Sequence, residues 1–407
     1  MFLTIAWRNI WRNTRRTMVI LIAIIIGVWS MIFLGALMRG IEHGMIQNGI
    51  KTLTGHIQIH QVGYRNDPVV ENSIENTETI ESALRRLLPP GTNWSFRIRV
   101  NAIASNARHT SAVTLVGINP VMEADVSFIG NAVSDGAYLE PEDPYGILVG
   151  RALIEDFETE LGHKLILMSQ DTDRDIASRA FRIKGIYDAE LEQTEKKFVF
   201  ISLPAAREML NMENAISEVA ILLQQEDQVG PVLKRLKAQL PAADYEVLPW
   251  TEIEPLLKTY LKLYDQFIAI WYLVVFIAMA FGIVNTTLMA VFERMREFGL
   301  LKSLGMKPRQ IIVQVVTESF FLLLIGAAVG NVLGIAAVQA LAVNGIDLTA
   351  FAAGMETFGM TRIIYPVLLG EDVLLSNAVV FVLGLLVCLY PAVKAARFTP
   401  VEALAYT

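Results

Sequence analysis

The sequence predicts a membrane protein with four transmembrane helices and one large α+β extracytoplasmic domain, inserted between the first and second helices. Three observations predict this fold. The chain of 407 residues is 53% hydrophobic and only 18% charged. The hydrophobic residues concentrate in four uncharged runs, each long enough to cross a bilayer as a helix. The long segment between the first two runs has the composition and alternating patterns of a soluble domain.

The four uncharged runs are residues 17–38, 266–292, 319–346 and 373–393, and the third predicted helix begins before its run. We expect transmembrane helices at residues 17–38, 266–292, 311–346 and 373–393. The segments around them are an amphipathic N-terminal segment at residues 1–16, the α+β domain at residues 39–265, a helical segment at residues 293–310, a short loop at residues 347–372 and a tail at residues 394–407. Because no small-residue cleavage site follows Met38, the first helix is expected to stay as an uncleaved anchor.

Basic residues near the helix ends predict the orientation of the chain. Four arginines and no acidic residue precede the first helix, and the segment at residues 293–310 is rich in lysine and arginine. The loop between the third and fourth helices is mainly acidic. Both termini and residues 293–310 are therefore predicted to be cytoplasmic, and the α+β domain extracytoplasmic. The single cysteine, Cys388, lies in the fourth helix, so the domain has no disulfide.

Alternating hydrophobic residues predict the strands of this domain, and residues 251–265 predict a helix that continues into the second transmembrane helix. Strands are expected at residues 56–60, 96–100, 112–117, 164–168, 181–186, 198–201 and 219–223, and helices at residues 77–88, 151–161, 204–210 and 228–240. An α+β domain follows, with two lobes as one possibility. His56 and His60 would lie about 13 Å apart along a strand, too far to share a metal ion. They are predicted to be polar surface, and the strand of Arg97 to be half-buried.

Motif searches exclude several functions. The chain has no phosphate-binding G-x-x-x-x-G-K-[ST] loop and no H-E-x-x-H, C-x-x-C or G-x-S-x-G motif. We therefore predict no catalytic residue, no metal site and no cofactor bound by this chain.

The segment after the second transmembrane helix is amphipathic and stiff. One continuous helix is expected from Leu256 to Phe298, with a break at Gly299 and a helix end at Gly305. Leu300, Leu301 and Leu304 share one face of the second part. Two interpretations remain open: a connector whose leucines dip into lipid, or a docking helix for a cytoplasmic protein.

The third transmembrane helix carries three glycines at four-residue spacing, Gly326, Gly330 and Gly334. Such a stripe lets a second helix approach closely. An intersubunit contact is favoured, and packing within the monomer is the alternative. Near the start of the same helix, Glu318 is expected at the cytoplasmic interface, paired with Arg309 or a partner protein rather than transporting protons.

These segments resemble the FtsX/MacB-type ABC transporter permeases. The sequence ERMREFGLLKSLG, residues 293–305, is similar to the coupling-helix signature of that family. Glu318 and the glycine stripe resemble its third transmembrane helix, and residues 390–404 resemble its C-terminal motif. The opening AWRNIWR is similar to its N-terminal segment. In the domain, the match is weaker, because His163 replaces a usual acidic residue.

The resemblance implies a permease subunit of the mechanotransmission type with a MacB-like periplasmic core domain. A separate ABC ATPase, in two copies and carrying ATP and Mg²⁺, would bind the coupling helix. Two permeases would pair as a homodimer or heterodimer in a bacterial inner membrane, with no nucleic acid as partner. The layout favours lipoprotein release, with efflux through a periplasmic adaptor and FtsX-like signalling to a cell-wall hydrolase as alternatives. The implied docking residues are Glu293, Arg294, Arg296, Glu297, Phe298, Gly299, Leu300, Leu301, Leu304 and Gly305.

Overall fold

The computed structural model describes residues 2–348 and 363–399. They form two compact units: a sheet domain, Gly44–Tyr260, and a helical unit made of residues 2–43, 261–348 and 363–399. Most of the predicted loop at residues 347–372, and residues 400–407 of the predicted tail with the end of the C-terminal motif, lie outside the described residues.

The described strands of the sheet domain form one mixed sheet of ten strands. They are β1 (Ile57–Gln61), β2 (Asn93–Ser105), β3 (Thr110–Ile118), β4 (Val133–Gly136), β5 (Gly146–Gly150), β6 (Lys164–Gln170), β7 (Ile176–Tyr187), β8 (Phe198–Ser202), β9 (Glu218–Leu222) and β10 (Tyr245–Pro249). Their order is β10-β1-β9-β2-β3-β8-β5-β7-β4, and β6 pairs with β2 and β7. The pairs β3–β8 and β5–β7 are parallel, and the others are antiparallel.

Short helices cover this sheet, which confirms the α+β class. They are α3 (Thr77–Leu87), α4 (Pro120–Glu123), α5 (Ile129–Ala132), α6 (Arg151–Asp156), α7 (Glu192–Lys197), α8 (Leu203–Met209), α9 (Val229–Gln239) and α10 (Trp250–Ile253), while α1 and α2 precede them in the helical unit. Every predicted strand and helix has a counterpart, although α6 ends before the predicted residue 161. The described strands thus form one continuous sheet within one compact unit.

The predicted exposure of β1 is wrong. Its isoleucines, Ile57 and Ile59, are fully buried as expected, but His60 is only 2% exposed and the preceding His56 only 8%. β1 pairs with a strand on each side, and both of its faces are covered. The backbone N–H of Leu223 donates to Nδ1 of His56 at 3.1 Å. The histidines are therefore satisfied or enclosed core groups rather than polar surface.

Arg97 of β2 is fully buried, not on the open face of a half-buried strand. Its guanidinium donates to both carboxylate oxygens of Glu123, at 2.7 and 3.0 Å, and to Glu218 at 3.1 Å. Burial alone would raise the pKa of Glu218, but the nearby His60, Arg99 and Arg97 lower it to about 2. In this three-residue cluster, the Arg97 cluster, one buried guanidinium pairs with two buried carboxylates.

In the described residues, the helical unit contains four helices long and apolar enough to cross a membrane. Its helices are α1 (Phe2–Ile10), α2 (Thr14–Gly49), α11 (Pro255–Glu293), α12 (Met295–Ser303), α13 (Pro308–Asn344) and α14 (Gly370–Arg397), with a small hairpin of β11 (Ile346–Asp347) and β12 (Ile363–Ile364). The long helices extend past the predicted apolar runs at most ends, since helical backbone continues into polar sequence. As predicted, α11 runs unbroken through the second apolar run.

Apolar side chains of α2, α11, α13 and α14 form the core of the helical unit. One polar contact joins α13 and α14 inside it. The side-chain amides of Asn331 and Asn377 donate to each other reciprocally, both at 2.8 Å. At one end of the unit, Arg39 bridges Glu42, Asp265 and Asp372 at 2.7 to 3.0 Å.

Candidate functional site

Helix α12 is set off from its neighbours by two sharp turns. It begins after Arg294, whose backbone leaves the helical region, and its last turn ends at Leu304. Gly305 then takes a left-handed φ of 97°, as predicted for a helix end. The N–H of Gly305 donates to the carbonyl of Lys302, and that of Met306 to the carbonyl of Leu301, which is a Schellman motif. Both turns fix the direction of α12.

The position of the first turn differs from the prediction. The helix breaks at Arg294, whereas Gly299 lies inside α12. The side chain of Arg294 is 7% exposed, and its Nη1 lies 2.9 Å from both carboxylate oxygens of Glu318 on α13. Because this buried ion pair holds Arg294 at the turn, the break occurs there. The expected partner of Glu318, Arg309, is therefore replaced by Arg294.

Residues of the N-terminal helix α1, of the turn after it and of the start of α2 make further polar contacts with this region. Asn9 donates to Glu318 at 2.7 Å, and Arg12 lies 2.8 Å from Glu297. Arg16 lies 3.0 Å from Glu293. Partial burial would raise the pKa of Glu297, but hydrogen bonds from Arg12 and Arg294 lower it below its usual value.

Three predicted docking residues, Glu293, Arg294 and Glu297, are thus engaged within the chain. Sequence reasoning used the arginines of the N-terminal segment only to orient the chain. Their spacing does not predict these pairs, because Arg12 lies in the turn between α1 and α2 and does not share a helical face with Arg16.

One side of α12 is buried against the ends of the spanning helices. Phe298 is 4% exposed, Gly299 is buried, and Leu301 is partly buried against the same cluster. This cluster consists of Val291, Phe298, Ile311, Val315, Ala392 and Ala395. The ammonium group of Lys302 donates to the carbonyls of Ala396 and Phe398 at the end of α14, both at 2.6 Å. Helix α12 therefore packs directly on the ends of α11, α13 and α14.

The opposite side of α12 is open and carries apolar side chains. Leu300 is 55% exposed and Leu304 is 77% exposed, one helical turn apart. Arg296 and Ser303 are exposed beside them. Two exposed leucines on a rigidly held helix are a surface suited to a protein partner. Of the ten predicted residues, Arg296, Leu300 and Leu304 form this face, which we call the α12 face.

The glycine stripe of α13 faces α2 of the same chain. A Cβ atom added to Gly326 would lie 2.6 Å from Ile24, and one added to Gly330 would lie 2.8 Å from Val28. One added to Gly334 would lie 3.1 Å from Ile32. The expected intersubunit contact at these glycines is therefore wrong, because α2 already fills the groove. The alternative, packing within the monomer, is correct.

Metal ligation finds no support in residues 2–348 and 363–399, where no three His, Cys, Asp or Glu side chains are grouped to hold an ion. Cys388 is buried in α14 with its thiol free.

Comparisons with known proteins place two regions of the chain in known families. Residues 17–239 match the family model described as MacB-like periplasmic core domain, and residues 269–400 match FtsX-like permease C-terminal. An uncharacterised ABC transporter permease of Methanocaldococcus jannaschii is 22% identical, over 99% of this chain and 97% of the relative. The lipoprotein-releasing system transmembrane protein LolC of Neisseria meningitidis is 22% identical, over 96% of this chain and 94% of that protein. Among solved structures, the periplasmic region of MacB from Actinobacillus actinomycetemcomitans matches with a TM-score of 0.36 and 12% identity, covering 53% of this chain and 97% of that one.

Proposed function

This chain belongs to the family of ABC transporter permeases that join a MacB-like periplasmic core domain to an FtsX-like permease region, and from that premise we propose that it releases lipoproteins from a bacterial inner membrane with a separate ATPase. It is a multi-pass membrane protein. In the proposed orientation, both termini and α12 are cytoplasmic and the sheet domain is periplasmic.

The observation that carries the docking proposal is the α12 face. Leu300 and Leu304 are exposed, while the other side of α12 is held by the Arg294–Glu318 ion pair and by apolar contacts. Burying an exposed leucine is worth about 1.5–3 kcal/mol, so the two leucines would contribute favourably to the binding of a larger partner surface. The partner is an ABC ATPase, the kind of subunit with which permeases of this family work.

The proposed assembly has two permease subunits and two ATPase subunits, with ATP and Mg²⁺ on the ATPase. Closure of the ATPase pair would move the two copies of α12. The contacts of Phe298 and Lys302 would pass that movement to the spanning helices, including the unbroken α11. ATP binding thereby shifts the equilibrium between two permease states, because each ATPase state binds one of them more tightly.

The cargo proposal is supported by the extent of the similarity to LolC, a protein of a lipoprotein-releasing system, which covers nearly the whole chain. It does not follow from the α12 face, which would serve any cargo. Docking and cargo therefore need separate experiments.

Docking is tested by purifying the full chain from its native membranes and quantifying the co-purified ATPase by mass spectrometry. The double variant Leu300→Asp, Leu304→Asp should lower the ATPase-to-permease ratio at least about tenfold, since two buried carboxylates would replace apolar contacts. The matched control is Val121→Asp, which changes a side chain that is 68% exposed in the sheet domain. An unchanged ratio in the inserted double variant contradicts docking at α12.

Cargo is tested by depleting the chain in its native cell and fractionating the membranes. Lipoproteins should accumulate in the inner membrane within the time of depletion. Normal lipoprotein sorting would contradict the cargo proposal; an accompanying loss of drug or peptide export would then assign the chain to efflux.

A further inference from the structure

Two cavities of the sheet domain share one wall. The first has a volume of about 270 Å³ and is lined in part by His60, and the second has a volume of about 440 Å³ and is lined in part by Leu257. Arg99, Lys197 and Glu254 line both cavities. Volumes of this size are typical of small-molecule sites. We call them the polar chamber and the apolar chamber.

The polar chamber contains a buried group without a partner. His60 is 2% exposed, and its Nε2 lies 3.7 Å from the carboxylate of Glu218. Its other ring nitrogen, Nδ1, has no hydrogen-bond partner in the part of the chain that the structure describes. An unpaired buried polar atom is costly, and a ligand that accepts or donates a hydrogen bond there would remove the cost.

The shared wall is cationic. The guanidinium of Arg99 lies 5.6 Å and the ammonium of Lys197 lies 5.3 Å from the ring centre of Phe198, so both cations stack on one aromatic ring. Glu218 lies 3.8 Å from Arg99, but it is already held at 3.1 Å by the buried Arg97. Glu254 also lines the wall, so the three shared side chains leave one net positive charge, which favours an anionic ligand.

The apolar chamber lies between the end of α2 and the start of α11. Met45 and Leu53 line one part of it, and Leu256, Leu257 and Tyr260 line another. Leu256 is 70% exposed and offers apolar surface to a ligand. An alkyl chain would cover this side chain.

We propose that the two chambers together bind an anionic amphiphile, a single alkyl chain ending in a carboxylate or a phosphate. The anionic head lies on the wall of Arg99 and Lys197 and within reach of Nδ1 of His60. The alkyl chain lies against Leu256, Leu257 and Tyr260. This site is separate from the α12 face and does not depend on the cargo proposed above.

The site is tested with the full chain in nanodiscs of zwitterionic lipid, using a spin-labelled stearate whose immobilised fraction is measured by electron paramagnetic resonance. Hexadecanoate and hexadecyl phosphate should displace the probe, and the tighter of the two identifies the preferred head. Hexadecanol should compete at least about tenfold more weakly, because it lacks the charge-assisted hydrogen bonds. Lys197→Gln should weaken binding of hexadecanoate by about tenfold.

The matched control is Lys237→Gln, an exposed lysine of α9 that lines neither chamber. Lys197 has its described contact only with the ring of Phe198, so its replacement should not unfold the domain. A second variant, Leu257→Asn, should also weaken binding of hexadecanoate, because it removes an apolar contact of the alkyl chain. Equal competition by hexadecanol, equal competition by inorganic phosphate, or an equal loss in Lys237→Gln would overturn the proposal.

Discussion

The Arg97 cluster of the sheet domain and the Arg294–Glu318 pair of the helical unit use the same chemistry in different surroundings. Arg97 and both of its acidic partners are at most 1% exposed. Arg294 is 7% exposed and Glu318 is 14% exposed. The first cluster lies in the core of one sheet domain, whereas the second joins a turn to a neighbouring helix.

The two sites differ in what happens to the fold when the ion pair breaks. Breaking the Arg97 cluster would leave uncompensated charges in the buried core. The cluster therefore stays intact as long as the domain is folded. At Arg294, the exposed Glu297 and Arg12 lie close by, so water can replace a lost contact. We infer that the first site fixes a fold and that the second can loosen while the helices stay folded.

The largest effect is expected for Arg97→Met. It leaves Glu123 and Glu218 buried without their cation, which should destabilise the sheet domain by about 3–5 kcal/mol, on the order of 10 °C in Tm. Thermal unfolding of the purified full chain measures this. The control is Arg85→Met, because Arg85 is 71% exposed in its pair with Glu81 and should matter by less than about 1 kcal/mol. Similar Tm losses in both variants would contradict a special role of the buried cluster.

An intermediate effect is expected for Glu318→Gln. The neutral amide keeps the shape but leaves the charge of Arg294 uncompensated, at a cost of about 2–3 kcal/mol. The loss should be local: amides of Met295–Ser303 should exchange faster with deuterium, while those of β1–β3 should not change. Glu371→Gln, at an exposed position in the first turn of α14, is the matched control. If exchange in α12 is unaffected, this pair does not hold the helix.

The smallest effect is expected for Arg12→Gln. Arg12 and Glu297 are 52% and 46% exposed, so their pair is screened by water and should contribute less than about 1 kcal/mol. A double-mutant cycle with Glu297→Gln, measured at low and at high salt, tests this. A coupling energy that is large or independent of salt would mean that this exposed pair holds the N-terminal segment as firmly as the Arg294–Glu318 pair holds α12.

Much of the fold could be predicted because it follows from local patterns. The spanning helices follow from the length of the uncharged runs, since a helix is the local structure that satisfies its backbone in lipid. The strands followed from alternation, and the end of α12 from Gly305. Burial was harder to predict: His60 and Arg97 look polar in sequence, and only the strands and helices packed on both faces of the sheet enclose them.

The contacts of residues 293–305 could not be predicted from the sequence, because they depend on pairs between distant parts of the chain. The segment at residues 293–305 was identified, yet its break is set by Glu318, which lies in another helix. Which side of α12 is open depends on Phe298 and Lys302 finding partners on distant helices. The glycine stripe shows the same limit, since its spacing predicts close approach but not which helix approaches.

The reciprocal amide pair of Asn331 and Asn377 opposes sliding of α13 along α14. A displacement of α13 past α14 by one turn, about 5.4 Å, would separate both hydrogen bonds at once. Between transmembrane helices each lost interhelical bond costs roughly 0.6–2 kcal/mol. The pair therefore opposes sliding of α13 along α14, whereas it allows the two helices to tilt together.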